Sequence, residues 1–207
     1  MTATRPTATR ARGEAGVRQR ILTAAVDLFA DHGYDATSVS QVISRAGVAK
    51  GGFYHHFASK DELLYAVYGD LITRQLEGMN RILAERLSPA ETLRALIVDL
   101  VETTAASARE ALVFSRELSQ LGNRRIMQMR SQRRRYHNTV TRLVSEAQER
   151  GEFRAVASPE IVTFTIFGVI NEMPRWYRPA GRLRPEQIAT EVADLVLAGL
   201  HGSEGDR

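Results

Sequence analysis

Residues 37–67 read TSVSQVISRAGVAKGGFYHHFASKDELLYAV. Ser38 and Gln41 stand three apart, the spacing of a capping box, so a helix opens at Val39, carries Val42, Ile43 and Ala46 inward and stops at Gly47. Gly47 accepts the positive φ of a tight turn, and Val48 plugs the angle to a second short segment. Two short helices joined by Ala46-Gly47-Val48 have the spacing of a helix-turn-helix. The second segment has unusual chemistry for a surface helix. Gly51 and Gly52 leave the backbone free to approach a groove wall, Lys50, Tyr54, His55 and Lys60 supply donors suited to phosphate oxygens, and Phe53 and Phe57 anchor it inward. Ser59 and Glu62 then repeat the capping signature, and Leu63, Leu64, Val67 and Leu71 begin a long helix.

Charge follows this segment. Of 28 Lys+Arg and 24 Asp+Glu, residues 1–60 hold eight bases against four acids, and the remainder balances. A basic end on a neutral body is the distribution of a segment that meets a polyanion. Residues 1–14 hold Thr, Ala and Arg with little apolar bulk and are expected to be a disordered basic arm, with Arg5, Arg10 and Arg12 in a flanking minor groove or in a solvated tail. Val17, Ile21, Leu22, Ala25, Leu28 and Phe29 then form a helical stripe closed by Gly33.

Beyond residue 60 every periodicity is helical. Ser88-Pro89-Ala90-Glu91 opens a helix with the stripe Leu93, Leu96, Ile97, Leu100, Val101; a further stripe runs Ala111, Phe114, Leu118, Leu121; and a long helix spans 123–150 to Gly151. Ser158-Pro159 starts the next, whose stretch 161–171 is uncharged and apolar on all sides, so it is expected to serve a core and an interface together. The last helix follows Pro185. The fold class is all-α. An arm (1–14) and a helix-turn-helix domain (15–60) precede a helical body for ligand binding and dimerisation (61–207).

The quoted stretch closely resembles the N-terminal domain of TetR-family transcriptional regulators, whose signature is Ala-Gly-Val, Lys-Gly, an apolar residue, Tyr, a following Phe and then Ser-Lys-Glu-Leu. The resemblance implies phosphate contacts from Thr37, Ser38, Lys50, Tyr54, His55 and Lys60, base-facing positions at Gly51 and Gly52, and help from Arg45. Ala49 stands where the family often has a Ser cap, and Gly52 where Thr or another small side chain is common. Fewer base-edge donors shift the burden to phosphates, DNA shape and the arm.

In the body, residues 124–135 hold six arginines and no acid. Arg133 falls on the apolar stripe of its helix, with Arg130 and His137 at its edge, so Arg133 needs a partner: Glu102, Glu110, Glu117 or Glu172 within the protein, or an anionic ligand. Residues 175–183, RWYRPAGRL, followed by Pro185-Glu186-Gln187-Ile188, resemble the C-terminal region of the TetR subgroup that regulates fatty-acid and sterol catabolism, although Arg184 replaces a usual Ser cap. That resemblance implies an acyl-CoA effector. The candidate ligand-binding residues are Arg130, Arg133, Phe164, Phe167, Asn171, Arg175, Trp176 and Arg178. The plainer alternative has Trp176 and Tyr177 closing a loop while Arg175 and Arg178 cap carbonyls.

The expectation is a cytoplasmic homodimeric regulator that binds a palindromic double-stranded DNA operator and answers to a small molecule. A multidrug-sensing regulator of the same family is the alternative. Without Cys, and with five scattered His, the chain offers no nucleophile elbow, phosphate loop or metal-ligand spacing, so neither enzyme activity, cofactor nor metal is expected. No apolar run reaches the roughly 20 residues of a membrane span.

Overall fold

The computed structural model describes residues 7–117 and 123–201, with side chains from residue 14 onward except 123, 124 and 126; among them are nine helices and no strand. In chain order these are α1 (Thr7–His32), α2 (Val39–Ala46), α3 (Lys50–His56), α4 (Lys60–Ala84), α5 (Pro89–Ala106), α6 (Ala108–Glu117), α7 (Asn123–Glu149), α8 (Pro159–Trp176) and α9 (Pro185–His201). The starts follow the capping chemistry. Ser38 and Ser88 form complete boxes with Gln41 and Glu91, and Ser158 accepts from the Ile161 amide. Ser59 accepts from the Glu62 amide, but the Glu62 carboxylate reaches back to the amide of Ala58. Gly47 ends α2 at φ 62°, where its amide closes on Ile43 and Ser44.

One expectation changes at the N-terminus. Residues 7–14, expected within the arm, are the first turns of α1. Ala8, Arg10, Ala11 and Arg12 favour helix, and adding turns to an anchored helix avoids a new nucleation step. Residues 1–6, with Arg5, lie outside the described residues, as do the side chains of Arg10 and Arg12, and so do Leu118 and Leu121.

Two hydrophobic cores stack along α4. The first gathers Ile21, Ala25 and Phe29 of α1, Val42 and Ala46 of α2, Phe53 of α3, and Leu63, Leu64 and Tyr68 of α4. Val113 of α6 and Met129 of α7 also enter it. The second is built on α5, which packs against α4, α7, α8 and α9, and includes Leu96, Ile97, Leu100, Tyr136, Val144, Ile166, Ile170, Ala189 and Ala193. Helix α8 divides as its composition suggests: Val162, Ile166, Phe167 and Ile170 face the core, while Ile161, Phe164 and Val169 remain exposed. No helix among the described residues is long and apolar enough to cross a membrane.

Candidate DNA interface and effector pocket

Helices α2 and α3 present one outward surface. Ser38, Arg45, Lys50, Gly51, Tyr54 and His55 are exposed and Gly52 is half-buried, while Phe53 and Phe57 are buried beneath them. Tyr54 stands edge-on to Phe53 at 5.2 Å, which orients its phenol outward from the anchored ring. A Cβ added at Gly51 would meet nothing within 4 Å, so the smallness of this residue answers to no neighbour inside the protein. Arg45 is shared with an ion pair to Asp27 at 3.4 Å.

Two expected phosphate contacts serve the fold instead. Thr37 is 1% exposed, and its hydroxyl donates to the Gly33 carbonyl at 2.8 Å. Lys60 Nζ donates to the carbonyls of Tyr34 at 2.8 Å and Thr37 at 2.9 Å, and sits 4.1 Å from the centre of the Tyr34 ring. The ammonium thus ties down the loop between α1 and α2. The carbonyls freed by the turn at Gly33 need donors, and Thr37 and Lys60 are the ones that reach them.

In the body, α4, α5, α6, α7 and α8 line a mainly apolar pocket that opens to solvent. Its walls are mainly Leu71, Ile72, Leu76, Leu100, Phe114, Phe167 and Ile170, with polar side chains from Gln75, Thr104, Gln132, Arg133, Tyr136, His137 and Asn171. None of the described lining residues is a carboxylate. Arg133 donates to Asn171 Oδ1 at 3.1 Å and lies over the Phe114 ring at 4.9 Å, with no carboxylate in ion-pair reach among the described residues. None of the four glutamates considered for it is its partner: Glu110 pairs with Arg74, and Glu172 with Arg175. Burial lowers the pKa of Arg133, which measures how poorly its charge is solvated. His137 stacks on Phe167 at 3.8 Å; burial first and the Arg133 charge second push its pKa down.

Of the candidate ligand residues, Arg133, Phe167 and Asn171 meet in this pocket. The others lie elsewhere. Arg130 is exposed one turn before Arg133, Phe164 is 63% exposed on the outer side of α8, and Arg175 pairs with Glu172 at 3.2 Å. Trp176 is exposed, and Arg178 donates to the carbonyls of Arg175 and Tyr177, so the loop-closing alternative describes this segment. The cause is the course of the chain: Tyr177 is the buried residue of this turn, which leaves its neighbours facing out. The sequence reading missed Gln75, Thr104 and Tyr136 as polar wall residues. Tyr136 sits on the same stripe as Arg133, which was the available signal; Gln75 and Thr104 carried none.

Residues 21–67 match the family model of the bacterial regulatory proteins of the tetR family, and residues 86–200 that of the tetracyclin repressor-like C-terminal domain. The chain belongs to the TetR family of bacterial regulatory proteins. It is 29% identical over 193 residues to the HTH-type transcriptional repressor KstR2 of Mycolicibacterium smegmatis, covering 92% of this chain and 93% of that one. To the fatty acid metabolism regulator protein of Bacillus subtilis it is 25% identical over 183 residues, or 88% and 94% of the two chains. Among solved structures, AibR in complex with isovaleryl coenzyme A and operator DNA shares the fold at a TM-score of 0.76 and 25% identity, over 86% of this chain and 97% of that one.

Proposed function

We propose that the chain is a homodimeric one-component repressor that holds a palindromic operator and releases it when an acyl-CoA thioester fills the pocket of the body. Ser38, Lys50, Tyr54 and His55 grip phosphates on either side of the groove, with Gly51 and Gly52 against the bases. Two-fold symmetry then sets a pair of α3 helices about 34 Å apart on the duplex. Exposed Ile161, Phe164, Val169 and Leu195 on α8 and α9 support a dimer face there.

Arg133 is the observation that carries the effector half. A desolvated guanidinium with an amide and a ring for neighbours is poised for an electron-rich ligand group. In this reading the acyl group occupies the apolar interior, and the polar head leaves past Arg133 and Asn171 toward exposed Arg130. The carboxylate-free lining disfavours a sensor of cationic drugs.

Fluorescence anisotropy with the protein's own promoter tests both halves. CoA thioesters of graded acyl length should release the DNA, and a thioester at 100 times its dissociation constant should add about 2.7 kcal/mol of stability. Release by an uncharged drug-like compound but by no thioester would refute the effector half alone. Failure to protect any two-fold symmetric site would refute the DNA half.

A further inference from the structure

The pocket has a second polar place, deeper than Arg133. Tyr136 is 4% exposed and lines the pocket, yet its phenol oxygen has no hydrogen-bond partner among the described residues. Thr104 lines the same pocket and is 5% exposed. Its hydroxyl accepts from Gln75 Nε2 at 3.3 Å, which leaves its own O–H unspent. Thr139, Thr141, Thr163, Thr165 and Thr190 each return their O–H to the carbonyl one turn earlier in the helix, and Thr104 does not. Two buried donors on facing helices therefore lack acceptors among the described residues, and buried donors of this kind are rarely left so without a reason.

We infer that Tyr136 and Thr104 are specificity-determining residues that bind a neutral carbonyl oxygen on the acyl part of the effector, so that the protein discriminates oxo-acyl groups from saturated ones. The inference rests on the acyl-CoA reading above and deepens it. Neutrality follows from the wall. Among the described lining residues Arg133 is the one permanent cation, and it stands at the mouth beside exposed Asn171, so a carboxylate at the deep end would have no counter-charge. Phenol and threonine hydroxyl can each donate, and one carbonyl oxygen has the two lone pairs to accept from both. Position follows from the helix: Tyr136 lies three residues beyond Arg133 on α7, about 4.5 Å along the axis. The second oxygen thus belongs within a few bonds of the polar group held at the mouth, as in a β-oxo thioester. A saturated chain would seal both donors against hydrocarbon, whereas an oxo group restores their bonds, and such asymmetry separates ligands more sharply than added methylene groups do.

The test pairs octanoyl-CoA with its β-oxo analogue, and octanoic acid with its β-oxo acid, in titrations of the full-length protein by calorimetry. Wild type should bind the oxo thioester about tenfold tighter than the saturated one, and Tyr136→Phe or Thr104→Val should each shrink that ratio toward one. The ratio is taken within each variant, so a general loss of affinity does not imitate the effect. Equal binding of the two thioesters by wild type overturns the inference, as does a ratio that survives in both variants. If neither thioester binds and the free acids do, the acyl-CoA reading fails; the inference then stands if the oxo acid is preferred and falls if it is not. Binding of none of the four compounds overturns both.

Discussion

Thr37 and Lys50 lie close in sequence and do different work. Thr37 spends its hydroxyl on Gly33 inside the protein, whereas Lys50 is exposed at the start of α3. Thr37→Val is therefore expected to cost about 1 to 2 kcal/mol in urea unfolding and to leave the salt dependence of operator binding intact. Lys50→Ala should do the reverse, reducing the slope of log K against log salt by about one with little loss of stability. A salt slope that changes with Thr37→Val and not with Lys50→Ala would reverse these assignments. At His137 the depressed pKa has a sign. The unfolded chain takes up this proton near pH 6.5 and the folded chain only lower, so the contribution to stability is complete above that value and declines as pH falls below it. Replacing it, as in His137→Gln, should leave a smaller fall in urea midpoint between pH 7.5 and 5.5 than wild type shows; an equal fall would contradict burial as the cause.

At the scale of elements, α3 and α6 stand out. Helix α3 is preceded at its N-cap by Ala49, which makes no side-chain cap, so the first amides of the helix have no acceptor from that side chain. Ala49→Ser should stabilise the protein by about 1 kcal/mol, read as a higher urea midpoint. Helix α6 touches α1 at one end, the loop after α1 at the other, and the pocket between them. Arg109 holds Asp27 and Asp31 at 3.3 and 2.7 Å, Glu117 accepts from the Tyr34 amide at 3.3 Å, and Phe114 lies in the pocket wall beneath Arg133 and against Tyr68. Asp27 also pairs with Arg45, beside the DNA-facing surface. In the proposed function, a ligand that moved Phe114 would act on both ends of this beam. Arg109→Ala should change stability by less than about 1 kcal/mol, since the pairs are half-exposed, while shrinking the effector's influence on operator affinity severalfold. Unchanged coupling in anisotropy titrations with and without effector would remove α6 from the relay.

For the whole molecule, the proposed dimer would be built on the outer sides of α8 and α9. Leu195 is 77% exposed, and in a two-fold interface each substitution acts twice. Leu195→Arg should shift the protein toward monomer in analytical ultracentrifugation and weaken operator binding at least tenfold; a dimer of wild-type strength would place the interface elsewhere. How much of this was legible varies with the range of the interaction involved. Capping boxes, the Gly47 turn and the inward rings of Phe53 and Phe57 are local, set by residues within one or two turns, and they could be read directly from residues 37–67. Family membership was legible for the same reason, because its signature is contiguous. The stripe of α7 placed Arg133 inward, since helical periodicity alone determines which way a residue points. Which group meets it there depends on α6 and α8, tens of residues away, and only tertiary packing put Phe114 and Asn171 beside it rather than a glutamate. The same holds for Thr37 and Lys60, drawn to loop carbonyls whose need for donors arises from the turn between α1 and α2, and for the arginines at 175 and 178, turned away from the pocket by the burial of Tyr177. Sequence by itself determined the helices, their order and the outward-facing residues of α2 and α3; the tertiary structure alone decided the composition of the pocket, because its walls come from five helices whose contacts are non-local.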